Sequence, residues 1–151
     1  MSYSAGEALI LTQIQATSTF GSTNSSRANW KILNKGTARS HAIIRYGPFE
    51  RQQNGMGGNY QTNWVTLCEV WVRYIDDSTT QIQLESAAAE IIERFDSWRL
   101  AGDSTGNIQD VFVRRGDEPQ EMWTNNGDGP SWVRQILEIE WQELRTATIQ
   151  E

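Results

Sequence analysis

Two stretches of strict period-two alternation dominate the pattern of hydrophobic and polar positions. In the first, Trp64, Thr66, Cys68, Val70, Val72 and Tyr74 share one side of a strand. Val65, Leu67, Glu69, Trp71, Arg73 and Ile75 share the other. Successive strand side chains point to opposite faces, so the first set is the expected core side and the second a mixed outer side. In the second stretch, from Trp132 to about Leu144, Val133, Gln135, Leu137, Ile139 and Trp141 alternate with Arg134, Ile136, Glu138, Glu140 and Gln142. Between them the period changes. Asp76-Asp77-Ser78 ends the first strand, and Leu84, Ala88, Ile91, Ile92, Phe95 and Trp98 recur at helical spacing from about Thr79 to Trp98. Ser78 and Gln81 have capping-box spacing, and Gly102 stands where a helix C-terminus favours glycine.

The remaining pattern is weaker. Leu9, Ile10, Ile14 and Thr17 predict a helix over 5–18, with Ser4 as N-cap and Glu7 as its capping-box partner. Residues 21–29 read as loop, and Trp30 to Gly36 as a short segment ending in a turn. A strand is expected over 41–46, closed by Gly47-Pro48-Phe49 because proline cannot donate to a ladder. Polar residues 50–63 read as a long excursion. A strand over 108–115 with a bulge near Gln109-Asp110, a turn at 116–119, a short strand at 120–124 and a loop at 125–130 complete the series. The tail from Thr146 is expected to fray. The implied fold is α+β: one domain over 1–151 in the order α-β-β-α-β-β. Two main helices pack on one face of a mostly antiparallel or mixed sheet, and long loops lie at about 50–63 and 116–130.

Composition narrows the function. A chain of 151 residues buries roughly 70% of its unfolded surface and needs no disulfide to do so. Its single cysteine, Cys68, fits a reducing compartment and reads as a buried structural thiol. With no secretory pattern at the N-terminus and no apolar run of the ~18 residues that a span needs, the expectation is a cytosolic, soluble chain without a membrane partner. Thirteen basic against nineteen acidic residues give a net charge of −6, which disfavours direct DNA binding and suits a surface that repels it.

Candidate chemistry is sparse. His41 is the only histidine, has no nucleophile motif to serve, and is expected to be structural or at the surface. One histidine and one cysteine do not fill a zinc shell without carboxylates. Glu138 and Glu140 alternate onto a polar strand face, which suits solvent or a subunit contact better than a glycosidase pair. The run Asn54-Gly55-Met56-Gly57-Gly58-Asn59 lacks the lysine and hydroxyl of a phosphate loop. Seven tryptophans exceed ordinary need. Trp30, Trp123 and Trp132, near loops, are the ones that could line a sugar site, and the surplus as a whole suits an interface. No catalytic residue, metal ligand or cofactor is expected, so the chain reads as a non-enzyme.

The N-terminal helix, the segment Ala42-Ile43-Ile44-Arg45-Tyr46-Gly47-Pro48-Phe49-Glu50-Arg51, the pattern W-x-x-x-x-x-V-W-V-R-Y-x-D-D over Trp64–Asp77, the amphipathic helix and the closing strand from Trp132 to Glu143 resemble the tail terminator (tail completion) proteins of long-tailed bacteriophages. The resemblance spans about Ala8 to Glu143. The glycine-rich run at 55–58 and the loop from Trp123 to Pro130 depart from it. It implies a small α/β fold assembled as a homo-hexameric ring on the head-proximal end of the tail tube. Such a ring stops tube polymerisation and docks onto head completion or neck proteins, while DNA passes through its lumen without specific binding. Its place is the virion tail or neck, after assembly in the host cytoplasm. A ring needs two different patches that fit each other. The outer side of 64–75 with the 50–63 loop is the candidate for one, and the 116–130 region for the other. Arg51, Glu69, Trp71, Arg73 and Trp123 are the candidate interface residues, by residue type and place. Another neck or head–tail joining protein is the alternative, and a carbohydrate-binding module a more distant one.

Overall fold

In the computed structural model, residues 3–35, 38–53, 59–101, 108–116, 119–123 and 130–146 are described. The elements are α1 (Tyr3–Gln15), β1 (Ser25–Arg27), α2 (Ile32–Lys35), β2 (Ser40–Gln53), β3 (Asn59–Arg73), α3 (Asp77–Ala101), β4 (Ile108–Arg115), β5 (Gln120–Trp123) and β6 (Pro130–Thr146). They form an α+β domain around one six-stranded mixed sheet. The strand order is β1-β2-β3-β6-β4, and β5 also pairs with β6. β1 lies parallel to β2, and all other pairs are antiparallel. β4 and β5 share one edge of β6, β5 along Pro130–Arg134 and β4 along Leu137–Glu143.

The expected inner side of β3 is the core side. Trp64, Thr66, Cys68, Val70 and Val72 are buried, as are Val133, Leu137, Ile139 and Trp141 of β6. Ile10 and Ile14 of α1 and Leu84, Ala87, Ala88, Ile91 and Phe95 of α3 close over them. Trp141 stacks on Trp64 with centroids 6.0 Å apart, and its Nε1 donates to Thr66 Oγ1 at 3.0 Å. Gly6 lies flat against the same indole, and any Cβ there would overlap the ring. A glycine inside a helix is thus explained by close packing.

Several local expectations are corrected. β2 does not end at Pro48 but runs on to Gln53. Its register to β3 shifts between Tyr46 and Phe49, and this irregularity accommodates a residue that cannot donate to the ladder. Residues 50–53 and 59–63 therefore belong to a long hairpin, with Glu50 opposite Asn63 and Gln53 opposite Tyr60. Of the expected excursion, 54–58 lie outside the described residues. So do Gly102, 117–118, 124–129 and the tail from 147.

Neither capping box forms as expected. Asp76, not Ser78, caps α3: its Oδ1 accepts from Thr79 N at 2.7 Å, and its Oδ2 from Thr79 Oγ1 at 3.0 Å. α1 begins at Tyr3, and Glu7 turns instead to Arg27 Nε at 2.6 Å, with Ser4 Oγ accepting from Arg27 at 2.8 Å. Residues 21–29, read as loop, contain β1. Asn24 holds the entry by donating to Thr19 O and Ser40 O. Ala28, at φ 51°, turns the chain off β1 while its N–H bonds Ile44 O at 2.8 Å. The four-residue helix α2 then crosses to the sheet face opposite α1 and α3.

Candidate functional site

Strand alternation puts Glu69, Trp71 and Arg73 on the outer face, and the register supplies their neighbours. Row by row these are Arg73 beside Trp132; His41, Trp71, Arg134 and Gln120; Ile43, Glu69 and Ile136; and Arg45, Leu67, Glu138 and Arg114. A last row sets Val65, Glu140 and Phe112 together. Ile32 and Leu33 pack on Ile43, Trp71 and Trp132, making a small second core under α2.

Glu69 sits beneath this cover at 2% exposure. It accepts from Trp30 Nε1 at 2.8 Å, Trp71 Nε1 at 3.1 Å and Arg45 Nε at 2.5 Å, and Arg134 stands 3.9 Å away. Buried carboxylates persist when hydrogen-bonded and paired in this way. Arg134 also lies over Trp71 at 5.4 Å and donates to Gln120 Oε1 at 2.6 Å, while its Nε is buried without a partner among the described residues. Arg73 lies over Trp132 at 4.5 Å, and His41 meets the same indole edge-on at 5.6 Å. Burial, and then the nearby Arg73 charge, hold His41 below its ordinary pKa; the Ala38 backbone pulls weakly the other way without good hydrogen-bond geometry to either ring nitrogen.

The arrangement is a buried carboxylate held by indole and guanidinium donors. Burial, reinforced by Glu69, pushes the Cys68 thiol up to about 12, so it stays protonated and enclosed. Among the described residues no group of three His, Cys, Asp or Glu side chains could hold a metal ion, and no helix is long and apolar enough to cross a membrane. Beyond the cover the outer face opens. Val65, Leu67 and Ile136 are half-buried, Phe112 is 41% exposed, and Arg114 bridges Glu138 and Glu140 at the surface.

Of the expected interface residues, the structure brings together Glu69, Trp71 and Arg73. Glu69 and Trp71 are already buried within one chain, because α2 folds over them, so the surface there is made by Trp30, Arg45 and Arg73. Arg51 stands in β2 opposite Thr62, and Trp123 ends β5 opposite Pro130; their side chains lie outside the described residues. Sequence reasoning passed over Arg45, and it treated Trp30 and Trp132 as sugar candidates and His41 as an isolated group. Alternation along β2 and β6 carried the signal for Arg45, Trp132 and Arg134. Nothing local carried it for Trp30, which reaches Glu69 across 39 positions. Neither a scan against protein-family models nor a search of curated proteins finds a match to this chain.

Proposed function

We propose that the chain is a virion structural protein, a tail terminator that assembles as a ring on the head-proximal end of a phage tail tube, stops its growth and offers the docking surface for the neck. The observation that carries this reading is the pairing of the two segments behind the resemblance. Ile43–Phe49 and Trp64–Asp77 are adjacent strands, joined from Ile43 opposite Glu69 to Phe49 opposite Trp64, and the second runs directly into the cap of α3. They are one structural unit. Its outer face beyond α2 is a half-apolar strip of Val65, Leu67, Ile136 and Phe112 edged by Glu138, Glu140 and Arg114, a composition that suits contact with another protein. A net charge of −6, repeated around a ring, gives a channel wall along which DNA slides without sticking.

Purified protein imaged by negative stain, alone and with tail tubes, tests the reading. Rings on one tube end are expected, and Leu67→Glu should abolish them without unfolding the chain. Persistent monomers beside bare tube ends would sink it. Capture by the portal side alone would favour the alternative of another neck or head–tail joining protein. Of the three sugar-site candidates, Trp132 is buried, Trp30 is 43% exposed with its Nε1 committed to Glu69, and the Trp123 side chain lies outside the described residues.

A further inference from the structure

His41 is an anomaly that the assembly reading does not use. It is 0% exposed, and among the described residues neither ring nitrogen has a hydrogen-bond partner. Buried polar atoms are nearly always paired, and an orphan needs a reason. The charges around it are one-sided. β3 contributes Arg73, whose guanidinium shares the Trp132 ring with His41, and β6 contributes Arg134 in the same row. The segment before β2 contributes Arg39, tied to Arg73 O at 3.1 Å and to Gln83 of α3. On the covering segment, Lys31 is exposed. Among the described residues of this face, the carboxylate Glu69 lies a row away and is already held by Arg45, Trp30 and Trp71. An imidazolium at His41 would add a cation among guanidiniums, with the Ala38 backbone as a lesser influence the other way.

A short cover lies over Ile43, Trp71 and Trp132, the last of which His41 meets edge-on. Residues 28–35 are held to the outer face by Ile32, Leu33 and the Trp30–Glu69 hydrogen bond, and they leave β1 through Ala28 in the left-handed region, which a β-carbon disfavours. We propose that His41 and the 28–35 cover form a pH-gated flap: protonation of His41 undocks the cover and exposes Ile43, Trp71 and Trp132, while the core under α1 and α3 stays closed. The sign follows from linkage. The open state hydrates His41 and binds its proton near the ordinary value, whereas the closed state binds it only at lower pH. Opening is therefore favoured as pH falls below about 6.5.

Hydrogen exchange of the full chain, corrected for intrinsic rates and compared at about pH 7.5 and about pH 5, reads the flap directly. The expected result is a several-fold loss of protection over 28–35 at the lower pH. Protection over 84–95 should not change. His41→Phe should abolish the difference. Equal protection at the two pH values overturns the proposal, and so does an opening that persists in His41→Phe. Should that variant fail to fold, Arg73→Gln serves instead. Removing its charge eases protonation of the closed state, so the ratio of opening between the two pH values must shrink, and an unchanged ratio overturns the proposal.

Discussion

The two faces of this sheet are built from the same three strands and solve burial in opposite ways. The inner face is apolar and continuous: helices of 13 and 25 residues cover it, and its polar atoms are few and paired, as at Trp141 and Thr66. The outer face buries a carboxylate, a histidine and part of an arginine under a helix of four residues. Apolar burial is non-directional and holds through many small contacts, whereas a buried polar cluster depends on each partner being in place. The inner face should therefore set global stability, and the outer face local opening.

The largest effect is expected on the inner side. Phe95→Ala removes a fully buried ring from the C-terminal half of α3 and should cost about 4 kcal/mol in urea unfolding. A cost no greater than that of an outer-face change would collapse the distinction. Glu69→Ala comes next. It strands Trp30, Trp71 and Arg45 at once, and should cost about 3 kcal/mol, the low end for a broken buried pair because Arg45 is partly exposed. Its signature is loss of exchange protection over 28–35 before any loss over 84–95. A uniform loss would mean that the two faces open as one unit.

How much of this was legible follows the same division. Alternation over β3 and β6 and the stripe on α3 identified the inner face nearly residue by residue, because one-sided burial writes a period into the sequence. It also placed Glu69, Trp71 and Arg73 together on the outer side. The cover over them left no such trace. β1 has three residues, Ser25, Ser26 and Arg27, without an apolar pattern, and α2 is a single turn. Their positions are set by contacts distant in sequence, Trp30 to Glu69 and Arg27 to Glu7. Pro48 misled for a related reason: its local rule is sound, but it lies on a stretch of β2 beyond the residues paired with β1, where a register shift accommodates it.

A smaller effect tests how the inner layer is tied to the chain entering β1. Burial pushes the Glu90 carboxyl up, but hydrogen bonds from Ser18 and Thr19 outweigh it and hold its pKa below the ordinary value. The carboxylate accepts from Ser18 N and Oγ at 2.5 Å and from Thr19 N at 3.0 Å, and Thr19 Oγ1 donates to it as well. Glu90→Gln should cost about 1 kcal/mol near neutral pH, the site being open to solvent. A lowered carboxyl pKa contributes stability above the unfolded value and loses it as pH falls through the folded one. The deficit of Glu90→Gln should therefore shrink below about pH 4.5. This window lies below that of His41, so urea titrations across pH separate the two groups. A deficit that stays constant with pH would assign the clasp to shape and not to charge.

The smallest effect on stability gives the sharpest contrast, because it repeats the outer face's own chemistry in the open. Arg114 meets Glu138 and Glu140 with the same guanidinium–carboxylate pairing as Arg45 and Glu69, on the same side of the sheet. Here the side chains are 62%, 39% and 40% exposed, against 2% for Glu69. Water screens the attraction, and holding long side chains together costs entropy, so Arg114→Ala should change unfolding free energy by less than about 0.5 kcal/mol. Arg114 lies, however, beside Phe112 at the edge of the strip assigned to a neighbouring subunit. If that contact forms, removing the guanidinium leaves Glu138 and Glu140 unbalanced as the strip is covered. Assembly on tail tubes should then weaken several-fold while the monomer's urea curve is unmoved. A variant that lost monomer stability and kept assembly would place Arg114 in the fold and move the contact elsewhere.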